Sequence, residues 1–233
     1  MKKVVISLCD LTGVAVDPWV EAGYSAILVD PQHGDGTRDR EVSYDGHIKK
    51  VGHVINHPVT YGVIREAIKE CDVGFVFGFP PCTDVAVSGA RWFAKKRERD
   101  EHFQTKAALV AEQCRVIGEL SGAPWFFENP VSVFSSIFGK PNHIFHPYEY
   151  GGYLPEDDEH PLWPEYIKPR DAYPKKTCLW TGGGFIMPEK KPVDTDGGYS
   201  DQHSKLGGKS QKTKNIRSAT PRGFARAVFE ANS

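Results

Sequence analysis

Val73-Gly74-Phe75-Val76-Phe77, continued by Gly78-Phe79-Pro80-Pro81-Cys82, is an apolar run that stops at two prolines and delivers a cysteine. A continuous apolar stretch of this length reads as a strand buried on both faces, as in a parallel sheet. Proline fixes the backbone and lacks a donor, so the strand ends there in a rigid turn. In open α/β sheets, ligands bind beyond the carboxyl ends of the strands. Cys82 is therefore either a thiol presented for chemistry or an ordinary small apolar side chain. Trp125-Phe126-Phe127 followed by Glu128-Asn129-Pro130 repeats the pattern with a carboxyl group at the strand end.

Outward from these two runs, strand and helix alternate. Lys3 to Leu8, Ser25 to Val29, Val51 to Ile55, Val73 to Phe77 and Pro124 to Phe127 read as buried parallel strands. Asp17-Pro18-Trp19-Val20-Glu21-Ala22-Gly23 has a cap residue, a first-turn proline and a closing glycine, the marks of a short helix. Tyr61 to Glu70 aligns Val63, Ile64, Ala67 and Ile68 on one face, and Thr105 to Leu120 aligns Leu109, Val110, Cys114, Ile117 and Leu120. This alternation predicts an α/β fold with a doubly wound, mostly parallel sheet. Between about residues 141 and 215 the chain changes to loops rich in glycine, proline and aromatics. One further strand is expected at Lys176-Thr177-Cys178-Leu179-Trp180, and mostly turn from Ile186 to Leu206. Thr220 as cap, Pro221 at the first helical position and the apolar Phe224, Ala225, Val228 and Phe229 predict a closing helix over 221–231. The expectation is a single domain spanning residues 1–233, with a small insertion.

No apolar run reaches the length of a membrane span, and Met1 to Leu8 reads as a first strand rather than a signal sequence. A soluble, intracellular protein is expected. The five cysteines have no regular spacing, which predicts neither a disulfide framework nor a zinc site. Net charge is −1, so nothing global points to nucleic acid. Between Asp201 and Glu230, however, there is no acid, while Lys205, Lys209, Lys212, Lys214, Arg217, Arg222 and Arg226 all fall there. That block reads either as a polyanion-binding surface or as a solvated basic loop.

The first predicted strand runs into Ser7-Leu8-Cys9-Asp10-Leu11-Thr12-Gly13 and the second into Asp30. A loop that approaches a ligand, then an acid about twenty residues later to accept ribose hydroxyls, is how nucleoside cofactors are held. Gly13 alone makes a poor pyrophosphate cradle, so a cofactor without phosphates fits better. Ordinary strand-end capping is the other reading of Asp10 and Asp30.

In order along the chain, Asp10-Leu11-x-Gly13, Glu21-Ala22-Gly23-Tyr24, Asp30, Pro80-Pro81-Cys82 with Ser88-Gly89, Glu128-Asn129-Pro130 and Arg217-x-x-Thr220-Pro221-Arg222-x-x-Ala225-Arg226 resemble the motifs of DNA cytosine carbon-5 methyltransferases. Cys82-Thr83-Asp84 and Ser88-Gly89-Ala90-Arg91-Trp92-Phe93 narrow the resemblance to a compact phage- or prophage-type branch. The resemblance implies a Rossmann-like class I methyltransferase fold, S-adenosyl-L-methionine as cofactor, DNA as partner, and the cytoplasm of a bacterial or phage-infected cell. It casts Cys82 as the nucleophile, Glu128 as the group that engages cytosine N3, and Asn129 as its neighbour in the catalytic set. Leu8, Asp10, Gly13, Asp30 and Pro80 would line the cofactor. Ser88, Arg91, Lys176, Arg217 and Arg222 would face the DNA.

The chemistry asks for these groups. Cytosine carbon 5 is too weak a nucleophile to accept a methyl group until a thiolate adds at carbon 6, and that addition is eased by a carboxyl group at N3. A stacked base must be flipped out to be reached. Arg91, Trp92 and Phe93 would contact the displaced strand or fill a loop core. The acid expected after the third strand is replaced by Asn56 and His57. The segment between Glu128 and Thr220 is short for a target-recognition domain, so either sequence readout is limited or a separate specificity protein supplies it. Two alternatives use the same scaffold: modification of a free deoxycytidine nucleotide, and a catalytically idle DNA-binding relative.

Overall fold

The computed structural model describes residues 1–34, 42–195, 197, 200–207 and 210–233. They form two compact units, Met1–Ile144 with Thr177–Phe185, and Phe145–Lys176 with Ile186–Ser233. In chain order the elements are β1 (Lys3–Leu8), α1 (Asp17–Glu21), β2 (Ser25–Val29), β3 (Val42–Asp45), β4 (Ile48–Val51), α2 (Pro58–Glu70), β5 (Asp72–Gly78), α3 (Phe93–Arg99), α4 (Phe103–Ser121), β6 (Trp125–Pro130), α5 (Phe134–Ile137), β7 (His143–Phe145), β8 (Thr177–Gly182), α6 (Asp201–Lys205), α7 (Gln211–Ser218) and α8 (Arg222–Asn232).

The strands make one mixed sheet in the order β3-β4-β2-β1-β5-β6-β8-β7. β1 pairs in parallel with β2 and β5, β2 with β4, and β5 with β6, whereas β3 runs antiparallel to β4 and β8 to β6. The chain winds outward from β1 through β2 to β4, then returns past β1 to β5 and β6. The direction of winding thus reverses between β1 and β5, and the crevice at such a reversal is where open sheets take ligands.

The apolar strands explain the arrangement. Every residue of β2 and all of β1 after Lys3 are buried, so these strands need cover on both faces. On one face, Trp125, Phe127 and Trp180 stack, with Phe127 and Trp180 5.1 Å apart and nearly parallel. On the other, Phe126 meets Phe75 and Phe77 edge to face, and Trp19 packs against the same two rings.

Two sequence expectations shift. The third strand is Ile48–Val51 rather than Val51 to Ile55. Gly52 leaves the ladder because its backbone passes Gly34 so closely that a Cβ there would lie 2.6 Å from the Gly34 nitrogen. Ile55 stays in the core without being a strand. In α4, Leu109 and Leu120 point to solvent, 55% and 68% exposed, and the buried face is Phe103, Ala108, Ala111, Cys114, Ile117 and Gly118. Small residues let the helix lie close on the sheet: a Cβ on Gly118 would sit 2.4 Å from the Trp125 ring, and one on Gly78 2.7 Å from Cys114 Cβ.

The second unit packs Ile167, Tyr173, Leu206, Ile216 and Ala219 against Trp163 and Tyr166. Phe224 of α8 stacks on Phe145 at 3.9 Å and meets Tyr150 edge to face. The cap residue of α8 is Pro221, one position later than expected, and Asp171 Oδ2 accepts from Gly223 N at 2.9 Å. Asp171 is buried, which pushes its carboxyl pKa up to about 7.

Candidate active site

The turn after β1 is shaped by Asp10. Its Oδ2 accepts from Ser7 Oγ at 2.7 Å, and its Oδ1 accepts from Thr12 N, Thr12 Oγ1 and Gly13 N at 3.0, 3.2 and 2.9 Å. Oδ2 is thus engaged by the end of β1 and Oδ1 by the loop, and Asp10 acts as a brace between them. Gly13 has φ +74°, and a Cβ would meet Leu28 Cδ1 at 2.9 Å. The glycine is explained by this turn and the core beneath it. Cys9, at φ 59°, is a non-glycine residue in the left-handed region at the same strand end. Leu8 is buried, and its carbonyl accepts from Phe79 N at 2.9 Å, which carries the β1/β5 pairing past the strand end.

Asp30 ends β2 and caps the short turn Pro31–His33 by accepting from Gln32 N at 2.8 Å. Partial burial raises its pKa, a shift opposed chiefly by the Gln32 backbone hydrogen bond. His33 Nε2 lies 2.9 Å from the Asp10 carbonyl oxygen and joins the β1 and β2 loops. Beyond β4, His53 and His57 stack with ring centroids 3.8 Å apart, beside the Gly34–Gly52 contact. Neither histidine link is legible in the spacing of the sequence, because each depends on loops meeting in space.

The Pro80-Pro81-Cys82 turn is held from β6. Asn129 is 1% exposed, and its Nδ2 donates to the Pro80 carbonyl at 2.9 Å. Asn129 Oδ1 is also buried, with no protein donor among the described residues. Cys82 is exposed, and its carbonyl accepts from Val85 N and Ala86 N at 3.1 and 2.9 Å, so a tight helical turn follows the thiol. That turn is sewn to the loop after β6 by an antiparallel bridge of Ala86 with Ser132, made by Val87 N donating to Val131 O at 2.9 Å and Val133 N to Val85 O at 3.0 Å. Glu128, half-buried, immediately precedes Asn129 and is registered against Leu179 of β8. From the far side, Lys96 of α3 donates to Thr83 O at 2.6 Å and to Asp84 Oδ1 at 2.7 Å.

Leu8, Asp10, Gly13, Asp30, Pro80, Cys82, Glu128 and Asn129 therefore all lie at or just beyond the carboxyl ends of β1, β2, β5 and β6 in the first unit. Ser88 and Arg91 are exposed on the short helical turn Val87–Trp92 that follows the Cys82 loop.

Lys176, Arg217 and Arg222 belong to the second unit. Lys176 is exposed; Arg217 Nη2 donates to Leu206 O at 2.7 Å; and Arg222 pairs with the buried Asp158 while donating to Glu159 O at 3.3 Å. Lys205 pairs with Asp201 at 3.2 Å. Much of the basic block is thus engaged within its own unit, and Lys209 lies outside the described residues. Among the described residues no group of three or more His, Cys, Asp or Glu side chains is placed to hold a metal, and no helix is long and apolar enough to cross a membrane.

A scan of protein-family profiles finds no match to this chain, and a search of curated proteins finds none either.

Proposed function

We propose that this protein transfers a methyl group to carbon 5 of cytosine in DNA, using S-adenosyl-L-methionine and a covalent adduct through Cys82. The observation that carries the reading is the seam between the two strand ends. Asn129 holds the Pro80 carbonyl, and two backbone hydrogen bonds join the Cys82 turn to the loop after Glu128-Asn129-Pro130, so thiol and carboxyl group share one rim. The strand order adds support, because that rim adjoins the reversal between β1 and β5.

The residues present fit the cofactor in part. Asp30, at the end of β2, is suited to accept hydrogen bonds from ribose hydroxyls, and the loop from Leu8 to Gly13, braced by Asp10, forms the adjoining wall. Asp10 itself supports the loop. The unmatched acceptor Asn129 Oδ1 is a buried oxygen that a ligand N–H at this rim would satisfy. When bound, the cofactor supplies an electrophilic methyl group.

The chain's own groups do the rest. The Cys82 thiolate adds to carbon 6 of cytosine, forming a sulfur–carbon bond as the double-bond pair shifts to carbon 5. Glu128 hydrogen-bonds N3 and stabilises the charge that builds on the ring. After carbon 5 is methylated, its proton leaves to solvent, the double bond re-forms and the thiolate departs. The test is direct: incubate the protein with cofactor and DNA, digest to nucleosides and measure 5-methyldeoxycytidine by mass spectrometry. Wild type should produce it and Glu128→Gln should lose at least about 100-fold in rate. No product from wild type that binds both ligands would refute the proposal.

A further inference from the structure

We infer that the segment from Val87 to Arg99 is a binding surface for single-stranded polynucleotide, so that the cytosine reaches Cys82 from an unpaired strand. The inference rests on the cytosine reading and names the form of its substrate.

Residues 91–99 hold five cations, Arg91, Lys95, Lys96, Arg97 and Arg99, against one acid, Glu98. Lys96 is spent inward on Thr83 and Asp84, which fixes this segment beside the Cys82 turn. Arg91, Lys95, Arg97 and Arg99 are exposed, and among the described residues none of the four has a carboxylate partner. Lys95 and Arg99 lie one turn apart on α3, about 6 Å along its axis, and Arg91 precedes them on the Val87–Trp92 turn. A row of unneutralised cations of this kind suits successive phosphates of a chain better than the phosphate of one nucleotide.

The apolar neighbours choose between one strand and two. Val87, Trp92 and Val131 are 52%, 42% and 42% exposed, and the first and last are joined by the Val87 N to Val131 O hydrogen bond. Arg91 lies over the Trp92 ring with its guanidinium carbon 5.3 Å from the centroid. An exposed indole with a cation on its face, next to a cationic row, is the combination that stacks a base while holding its backbone. A duplex hides its base faces and offers this apolar rim nothing to bury. A single strand exposes them, and needs no flipping at Cys82.

Fluorescence anisotropy without cofactor tests this, using a labelled single-stranded mixed-pyrimidine oligonucleotide, the same sequence as a duplex, and an abasic deoxyribose-phosphate oligomer of equal length. The single strand should bind at least about tenfold tighter than either. Trp92→Ala should weaken it by at least about fivefold, and Trp92→Phe should restore binding to within about twofold. Arg91→Gln, Lys95→Gln and Arg99→Gln combined should lower the slope of log affinity against log salt by about 2. Equal binding of the duplex or the abasic oligomer, or no change in either variant while its thermal unfolding matches wild type, would overturn the inference. Because no chemistry is read, that result would leave the Cys82 reaction standing, and an inactive Cys82 would leave this surface standing.

Discussion

Asn129 Nδ2 donates to the Pro80 carbonyl at 2.9 Å, so a side chain at the end of β6 sets the backbone that presents Cys82 at the end of β5. Both groups are buried, so water cannot replace the lost bond. Asn129→Leu should therefore cost about 1–3 kcal/mol of stability and slow adduct formation at Cys82 by at least about tenfold. Urea unfolding and single-turnover trapping measure the two effects separately.

Gly118 reverses the usual helix rule. In an open helix, Gly→Ala gains about 1 kcal/mol. Here the new Cβ would lie 2.4 Å from the ring of Trp125, which is itself 4% exposed and cannot step aside. Gly118→Ala should destabilise the protein by about 1–3 kcal/mol, read as a lower urea midpoint at unchanged slope.

Asp171 makes stability depend on pH. Burial holds its carboxyl near 7, against an ordinary value of 3.8. A raised carboxyl pKa favours the folded state below the unfolded value, and that advantage is lost as pH rises through the folded one. His160 is held down to about 4, first by burial and then by Arg222, and acts in the opposite direction over an overlapping range. The informative quantity is thus the difference between Asp171→Asn and wild type. The variant's stability relative to wild type should rise from about pH 4 to about pH 7, by up to ~1.4 kcal/mol per unit, and level off above. Asparagine still offers an oxygen to Gly223 N, so the cap on α8 is kept.

The strands of the sheet's centre were legible because each is a short apolar run with clear ends, from Lys3–Leu8 to Trp125–Pro130. β4 was placed late because Lys49 and Lys50 sit inside it, near the sheet's edge, where one strand tolerates polar side chains. The face of α4 is legible at Val110, Cys114 and Ile117 but not at its margins, because sequence periodicity favours large apolar residues such as Leu109 and Leu120, whereas close packing on β5 and β6 selects alanine, cysteine and glycine. Cys82 and Glu128 could be read from strand-end position. The Asn129–Pro80 bond, the His33 link to the Asp10 carbonyl and the inward hold of Lys96 could not, since each joins residues that only the fold brings together. Of the two readings of Asp10, the hydrogen bonds to Thr12 N and Gly13 N match strand-end capping, a choice that spacing alone does not make.

The central claim is that Cys82 adds to carbon 6 of cytosine, and mechanism-based trapping tests it most directly. In an oligonucleotide containing 5-fluorocytosine, the group at carbon 5 cannot leave after methylation, so the sulfur–carbon bond persists. Wild type with S-adenosyl-L-methionine should give a denaturation-resistant complex whose proteolytic fragments carry the nucleotide on the peptide containing Cys82, and Cys82→Ser should give none. A complex that survives in Cys82→Ser, or its absence from wild type that binds both cofactor and oligonucleotide, would contradict the account.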